Sequence, residues 1–205
     1  MEAMKKSIKA TISNLIVALI YTVVIVLLIY VIFGNQISVA MALINTISID
    51  KTQKVVEETK LDLNNMKLIN YPEYGTQYGR LKIESIDVDL PLYFGDTLSI
   101  LKKGIGHSSG SYFPGEGGSI LCAGHNYRGY IHDLYKTKNG DIITIETNYG
   151  TFNYEIYDSQ IIKENELDKV PIQKEKEILM LYTCHPLDAI GHPTERLVVY
   201  ANLVE

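Results

Sequence analysis

No charged residue occurs between Lys9 and Asp50. Within that stretch, residues 12–33 (Ile12 to Phe33) are almost entirely apolar. As a helix these 22 residues would extend about 33 Å at about 1.5 Å each, close to the roughly 30 Å of a bilayer's hydrocarbon core. Many of them are β-branched and would make a poor helix in water. In lipid the backbone can bond only to itself, so a transmembrane helix is the expectation. Glu2, Lys5, Lys6 and Lys9 give the first nine residues a charge of +2, and the rest of the chain carries -7. The positive-inside rule then predicts a cytoplasmic tail over 1–11, a single-pass anchor over 12–33 in the cell membrane, and everything after it outside. Ala40-Met41-Ala42 has the small-x-small form of a signal-peptide cleavage site. The apolar run is longer than the roughly 7–15 residues of a signal-peptide core and ends well before that site, which favours an uncleaved anchor.

The remainder reads differently. Hydrophobic residues make up 46% of the 205 residues, too many for a disordered chain. With 15 Gly and 2 Cys, collagen-like and disulfide-scaffold classes are excluded. A net charge of -5 argues against a nucleic-acid partner. Residues 34–71 mix charges with Val55, Val56, Leu61, Leu63, Met66 and Leu68, the pattern of a helical juxtamembrane stalk ended by Pro72. From 72 to 205 short runs alternate with turn residues. Arg80 to Ile86 and Val88 to Leu92 read as strands, the second with Pro91 favouring an edge or a bulge. Thr97 to Lys103 reads as a helical turn capped by Asp96, and Tyr130 to Lys136 as a short helix. Ser119 to Ala123, Glu177 to Thr183 and Leu197 to Leu203 read as further strands. Asp141 to Thr147 and Thr151 to Tyr157 form a hairpin about Asn148-Tyr149-Gly150. Seven to eight strands with short helices predict a mostly β domain, a closed or nearly closed barrel that hides its edges.

Both cysteines fall outside the membrane, where disulfides survive, so a Cys122–Cys184 bridge is one reading. Zinc is another, from Cys122, His125, Cys184 and His185, although the spacing matches no common structural zinc pattern. Glu116 and Asp188 are isolated loop carboxylates, not the acidic cluster a calcium site needs, and no cofactor or metal is expected. The third reading is a nucleophilic thiol. Cys122 lies inside an apolar run and looks like a small core residue. Cys184 ends such a run before His185-Pro186, where a strand opens into a loop. A thiol with a pKa near about 8.5 needs a histidine partner, and an acyl-transfer intermediate needs an oxyanion donor. His125 at one strand end and Arg196 at the start of the last strand supply both types of group.

Leu181-Tyr182-Thr183-Cys184 resembles the Thr-Leu-x-Thr-Cys signature of sortases, the cysteine transpeptidases of Gram-positive surfaces, with Met180 in place of the first Thr. Ala123-Gly124-His125-Asn126 is similar to the strand end that carries the family's histidine. Arg196-Leu197-Val198-Val199-Tyr200-Ala201 is similar to the strand that begins with its arginine. Gly104 to His107 and Pro114 to Gly118 match a loop frequent in the family, which sets His107 apart from the catalytic set. The motifs stand in the family's order and cover roughly residues 75–205. The length fits small sortases with no C-terminal membrane segment. No lid motif precedes the barrel, and the Cys184-His185-Pro186 context suggests the class D type, with class A the nearest rival.

The resemblance implies catalytic roles for Cys184, His125 and Arg196. It implies as partners surface proteins with LPxTG-like sorting signals, cut after Thr, and a lipid II-like peptidoglycan precursor amine that accepts the acyl group. Substrate choice is expected in a loop from Asp158 to Lys176, with Leu167, Val170, Pro171 and Ile172. Two other functions compete: a secreted cysteine peptidase that only hydrolyses, and an anchored binding module stapled by Cys122–Cys184.

Overall fold

The computed structural model describes residues 14–29, 59–186 and 193–204. Residues 14–29 form one α-helix, α1, exposed along its whole length. Thr22 Oγ1 donates to the Ala18 carbonyl one turn back at 2.9 Å, which hides its hydroxyl in the helix's own backbone. Among the described residues no helix is long and apolar enough to cross a membrane. The two ends of the span expected over 12–33 lie outside the described residues.

The helical stalk expected over 34–71 is corrected where it is described, from residue 59 on. Lys60–Asp62 (β1) and Lys67–Ile69 (β2) pair as an antiparallel hairpin, Leu61 opposite Leu68. Asp62 makes the turn: its carboxylate accepts from the Asn64 N–H at 2.9 Å and from Asn65 Nδ2 at 2.8 Å, a side-chain-built turn that competes with helix. Leu68 is buried, and its N–H donates to Glu116.

Eight strands close the barrel: Gln77–Ile83 (β3), Val88–Phe94 (β4), Ile105–His107 (β5), Ser119–Ala123 (β6), Ile142–Thr147 (β7), Gly150–Lys163 (β8), Ile178–His185 (β9) and Glu195–Val204 (β10), in the order β10-β8-β7-β3-β4-β5-β6-β9. Most neighbours are antiparallel, but β4–β5 and β6–β9 are parallel. Period-two patterning selects the inward set. Leu81, Ile83, Leu92, Ile105, Ile120, Ile143, Ile145, Leu179, Leu181 and Val199 are fully buried. Each such side chain contributes about 1.5–3 kcal/mol. β5 joins β4 only from Leu92 onward, so Pro91, lacking an N–H, precedes that ladder.

Two local expectations change. The helical turn Leu98–Leu101 (α2) has Thr97 as its N-cap residue, without a side-chain cap; Asp96 instead accepts from Ser108 Oγ at 2.6 Å. The segment expected to become a loop at Asp158 continues as strand to Lys163, because Asp158 to Lys163 pair with Tyr200 to Glu195 past a bulge at Tyr200/Ala201. The loop itself begins at Glu164.

Two buried carboxylates lock the Pro114–Gly118 turn. Glu116 accepts from the Phe113 N–H at 2.9 Å, the Leu68 N–H and the Tyr71 hydroxyl. Glu177 accepts from the N–H groups of Gly115 (2.9 Å) and Gly117 (2.8 Å) and from the Tyr154 hydroxyl (2.7 Å). Gly115 and Gly117 hold φ of +88° and +78°, a region that glycine enters without steric cost. Glu116 is therefore an internal acceptor and not the loop carboxylate its position suggested.

Candidate active site

Cys184 and Arg196 are direct partners across the antiparallel pair β9–β10. Opposite residues of such a pair project to the same face. Leu179, Leu181 and Thr183 fill the barrel interior, so Cys184 and Arg196 lie on its outer face. Both are partly exposed.

His125 arrives from the other side of β9. In the parallel pair β6–β9, Ala123 is opposite Tyr182, and two further residues along each chain stand His125 and Cys184. The register is extended past the strand end: the Gly124 N–H donates to the Tyr182 carbonyl at 3.1 Å and Thr183 Oγ1 to the Gly124 carbonyl at 2.8 Å. Asn126 Nδ2 then donates to the Cys184 carbonyl at 3.2 Å. A Cβ at Gly124 would sit 2.7 Å from Ile131 Cδ1 and 2.8 Å from Ile105 Cδ1, so any larger residue would have to displace these two buried side chains.

The His125 ring stands edge-to-face on Tyr130 at 5.6 Å and tilted to Tyr127 at 5.7 Å. Tyr130 is fixed by its hydroxyl on the Lys102 carbonyl at 2.8 Å. Burial, aided by the positive charge of Lys102, lowers the pKa of His125 below the usual histidine value. The Arg196 guanidinium donates through Nη1 to the carbonyls of Pro193 (2.7 Å) and Glu195 (2.8 Å), and through Nη2 to Glu164 Oε2 (3.0 Å).

The cysteines differ as their sequence contexts suggested. Both are free thiols, which removes the Cys122–Cys184 staple. Cys122 is wholly buried, and burial pushes its thiol far above the ordinary range. His107 is also buried, with Nδ1 3.0 Å from the Tyr78 hydroxyl and its ring 4.5 Å from that of Phe113; burial pushes its pKa down to about 4. His132 pairs with Asp133 at 2.9 Å and His185 with Glu195 at 3.1 Å. His192 and Asp188 lie outside the described residues.

The face below Cys184 is apolar. Ile162, Met180, Val198 and Tyr200 are buried together there, with Val170, Ile178 and Tyr182 against them. Beside them a hollow of about 340 Å³ is bounded by Met180, Tyr200, Ile178 and Tyr157 together with Pro171 of the β8–β9 loop. The departure at Met180 thus bears on packing. Glu164 and Asn126 were not singled out from the sequence as partners of the site. Asn126 stood in the quoted motif; nothing in the spacing marked Glu164.

A partly exposed thiol opposite an arginine, with a half-buried histidine on the extension of the neighbouring strand, thus stands on a closed mixed β-barrel. The chain belongs to the sortase family, whose members are cysteine transpeptidases: the Sortase domain model matches residues 81–204. Over 133 residues it is 34% identical to sortase D of Bacillus subtilis (strain 168), covering 65% of this chain and 67% of that protein. Its structure is similar to a Clostridium perfringens sortase D5 transpeptidase (26% identity, TM-score 0.57, 65% of this chain and 82% of the other). It is also similar to Clostridium perfringens sortase C solved with the C-terminal cell wall sorting motif (25% identity, TM-score 0.58, 82% and 99%).

Proposed function

We propose that this chain is a membrane-anchored transpeptidase of the class D type that cuts an LPxTG-like sorting signal after Thr and joins the released acyl group to a peptidoglycan precursor amine. The observation that carries this is the register: Cys184 opposite Arg196 on one side, and His125 on the extension of the parallel neighbour on the other. Cys184 Sγ, as thiolate, attacks the Thr carbonyl carbon. Arg196 donates to the oxygen as it gains charge. The C–N bond breaks as imidazolium His125 gives its proton to the leaving amine. The acceptor amine then attacks the thioester, neutral His125 takes its proton, and the C–S bond breaks to restore the thiolate. The hollow under the β8–β9 loop, bordered by Tyr157, Pro171, Ile178, Met180 and Tyr200, is the space that would take the sorting signal's apolar residues. The cation-led apolar run of the sequence supports an orientation with the N-terminus in the cytoplasm and the barrel outside.

The test is partition. The full chain is incubated with Leu-Pro-x-Thr-Gly peptides, with and without an added primary-amine acceptor peptide. An amide product that grows at the expense of free acid supports transpeptidation. Acid alone at every acceptor concentration would leave a hydrolytic peptidase.

A further inference from the structure

Arg196 has five N–H donors in a rigid plane. Nη1 meets two carbonyls and Nη2 meets Glu164, so among the described residues three donors are used. The two carbonyls belong to Pro193 and Glu195, in the arginine's own strand and its approach. Among the described residues, Glu164 is the one side chain that holds the guanidinium from another element. On β8, Ile162 is the partner of Arg196, and Glu164 follows it by two residues, the diagonal position within reach of a long side chain. Its backbone is fixed as well: the Glu164 N–H donates to the Thr194 carbonyl at 2.9 Å. Glu164 is also the first residue of the loop whose Val170 and Pro171 border the apolar face.

We propose that Glu164 is a positioning residue for Arg196, which sets the plane of the guanidinium beside Cys184 and couples it to the β8–β9 loop. The inference rests on the acyl-transfer reading above. The Glu164 side chain is 56% exposed, and an ion pair that open to water adds little to stability. Its effect therefore belongs to the rate and not to folding. A substrate that shifts the loop's first residues also shifts the carboxylate, so seating of the sorting signal reaches the oxyanion donor through one contact.

The experiment measures single-turnover acylation of the full chain by the best-used member of a Leu-Pro-x-Thr-Gly peptide set, for wild type, Glu164→Ala, Glu164→Gln, Arg196→Lys and Arg196→Lys/Glu164→Ala. Glu164→Ala is expected to lower the rate at saturating peptide about tenfold with the half-saturating concentration within twofold. Glu164→Gln, which keeps an acceptor, recovers most of the loss. In the Arg196→Lys background, Glu164→Ala costs less than twofold, since the fork it positions is gone. Three results overturn the inference: a Glu164→Ala rate within twofold of wild type, a loss that appears only in half-saturation, or losses that multiply in the double variant. If wild type itself forms no acyl-enzyme, the failure lies with the acyl-transfer reading on which the inference depends.

Discussion

Cys122 and Cys184 share a side chain and differ in everything around it. The apolar run Ser119 to Ala123 already marked Cys122 as core, and burial duly removes its thiolate. Cys184, one residue before the end of β9, lies opposite Arg196 and stays partly exposed. Iodoacetamide is therefore expected to label Cys184 in the folded chain and to leave Cys122 unmodified, as read by peptide mass spectrometry. Labelling of both at equal rates would contradict the packing described. His125 gives a second residue-scale expectation. Its pKa is lowered first by burial and then by Lys102, so the imidazolium acid is lost as pH rises through a value below the usual 6.5 or so. Lys102→Gln removes a like charge but keeps the backbone carbonyl that holds Tyr130, so it should raise this pKa. The falling limb of kcat/KM then moves to higher pH in a pH–rate profile; an unmoved limb would remove Lys102 from the account. The motif residues were legible because their chemistry is rare and ordered along the chain. Lys102 and Glu164 were not, because an exposed-looking charge shows nothing of the partner that tertiary contact gives it.

At the scale of elements, strands with strict alternation were readable, while β1, β2, the short β5 within Gly104 to His107, and the far half of β8 were not. Leu61 and Leu68 look like a helical stripe until Asp62 is seen to bind Asn64 and Asn65. Asp158 to Lys163 carries too many polar outward residues to announce a strand, yet β10 pairs with all of it. Glu177 ties β9 to the Pro114–Gly118 turn. Removing its carboxylate leaves two N–H groups and the Tyr154 hydroxyl without acceptors. Glu177→Ala is expected to lower the urea unfolding free energy by about 3 kcal/mol, whereas an unchanged midpoint would contradict the lock. His107, at the end of β5, makes the barrel pH-sensitive. Its folded pKa is about 4 against about 6.5 unfolded. Between those values the unfolded chain binds a proton that the folded chain refuses, so stability falls as pH drops from 6.5 to 4 or so and changes no further below that. The linkage amounts to about 3 kcal/mol over the window. His107→Phe should flatten that slope in urea titrations at pH 7 and pH 5.

For the whole molecule, the sequence announced a closed barrel through its many short strands, but not the order in which they close. The parallel pairs β4–β5 and β6–β9 join segments whose contact depends on loop paths and not on local pattern. Those pairs matter, because β6–β9 carries His125 toward Cys184. The charge layout, +2 at the N-terminus against -7 beyond it, yields a further expectation: the full chain stays with membranes through a high-salt wash, and its barrel is cut by protease added to intact cells with the wall removed. Release by salt would contradict the anchor. The central claim, that this barrel displays Cys184 as an acyl acceptor, is tested most directly by mass spectrometry of the full chain mixed with Leu-Pro-x-Thr-Gly peptides. The account predicts a thioester adduct of the Leu-Pro-x-Thr fragment on the peptide containing Cys184, absent in Cys184→Ala. An adduct that persists in Cys184→Ala, or that maps to Cys122, would contradict it.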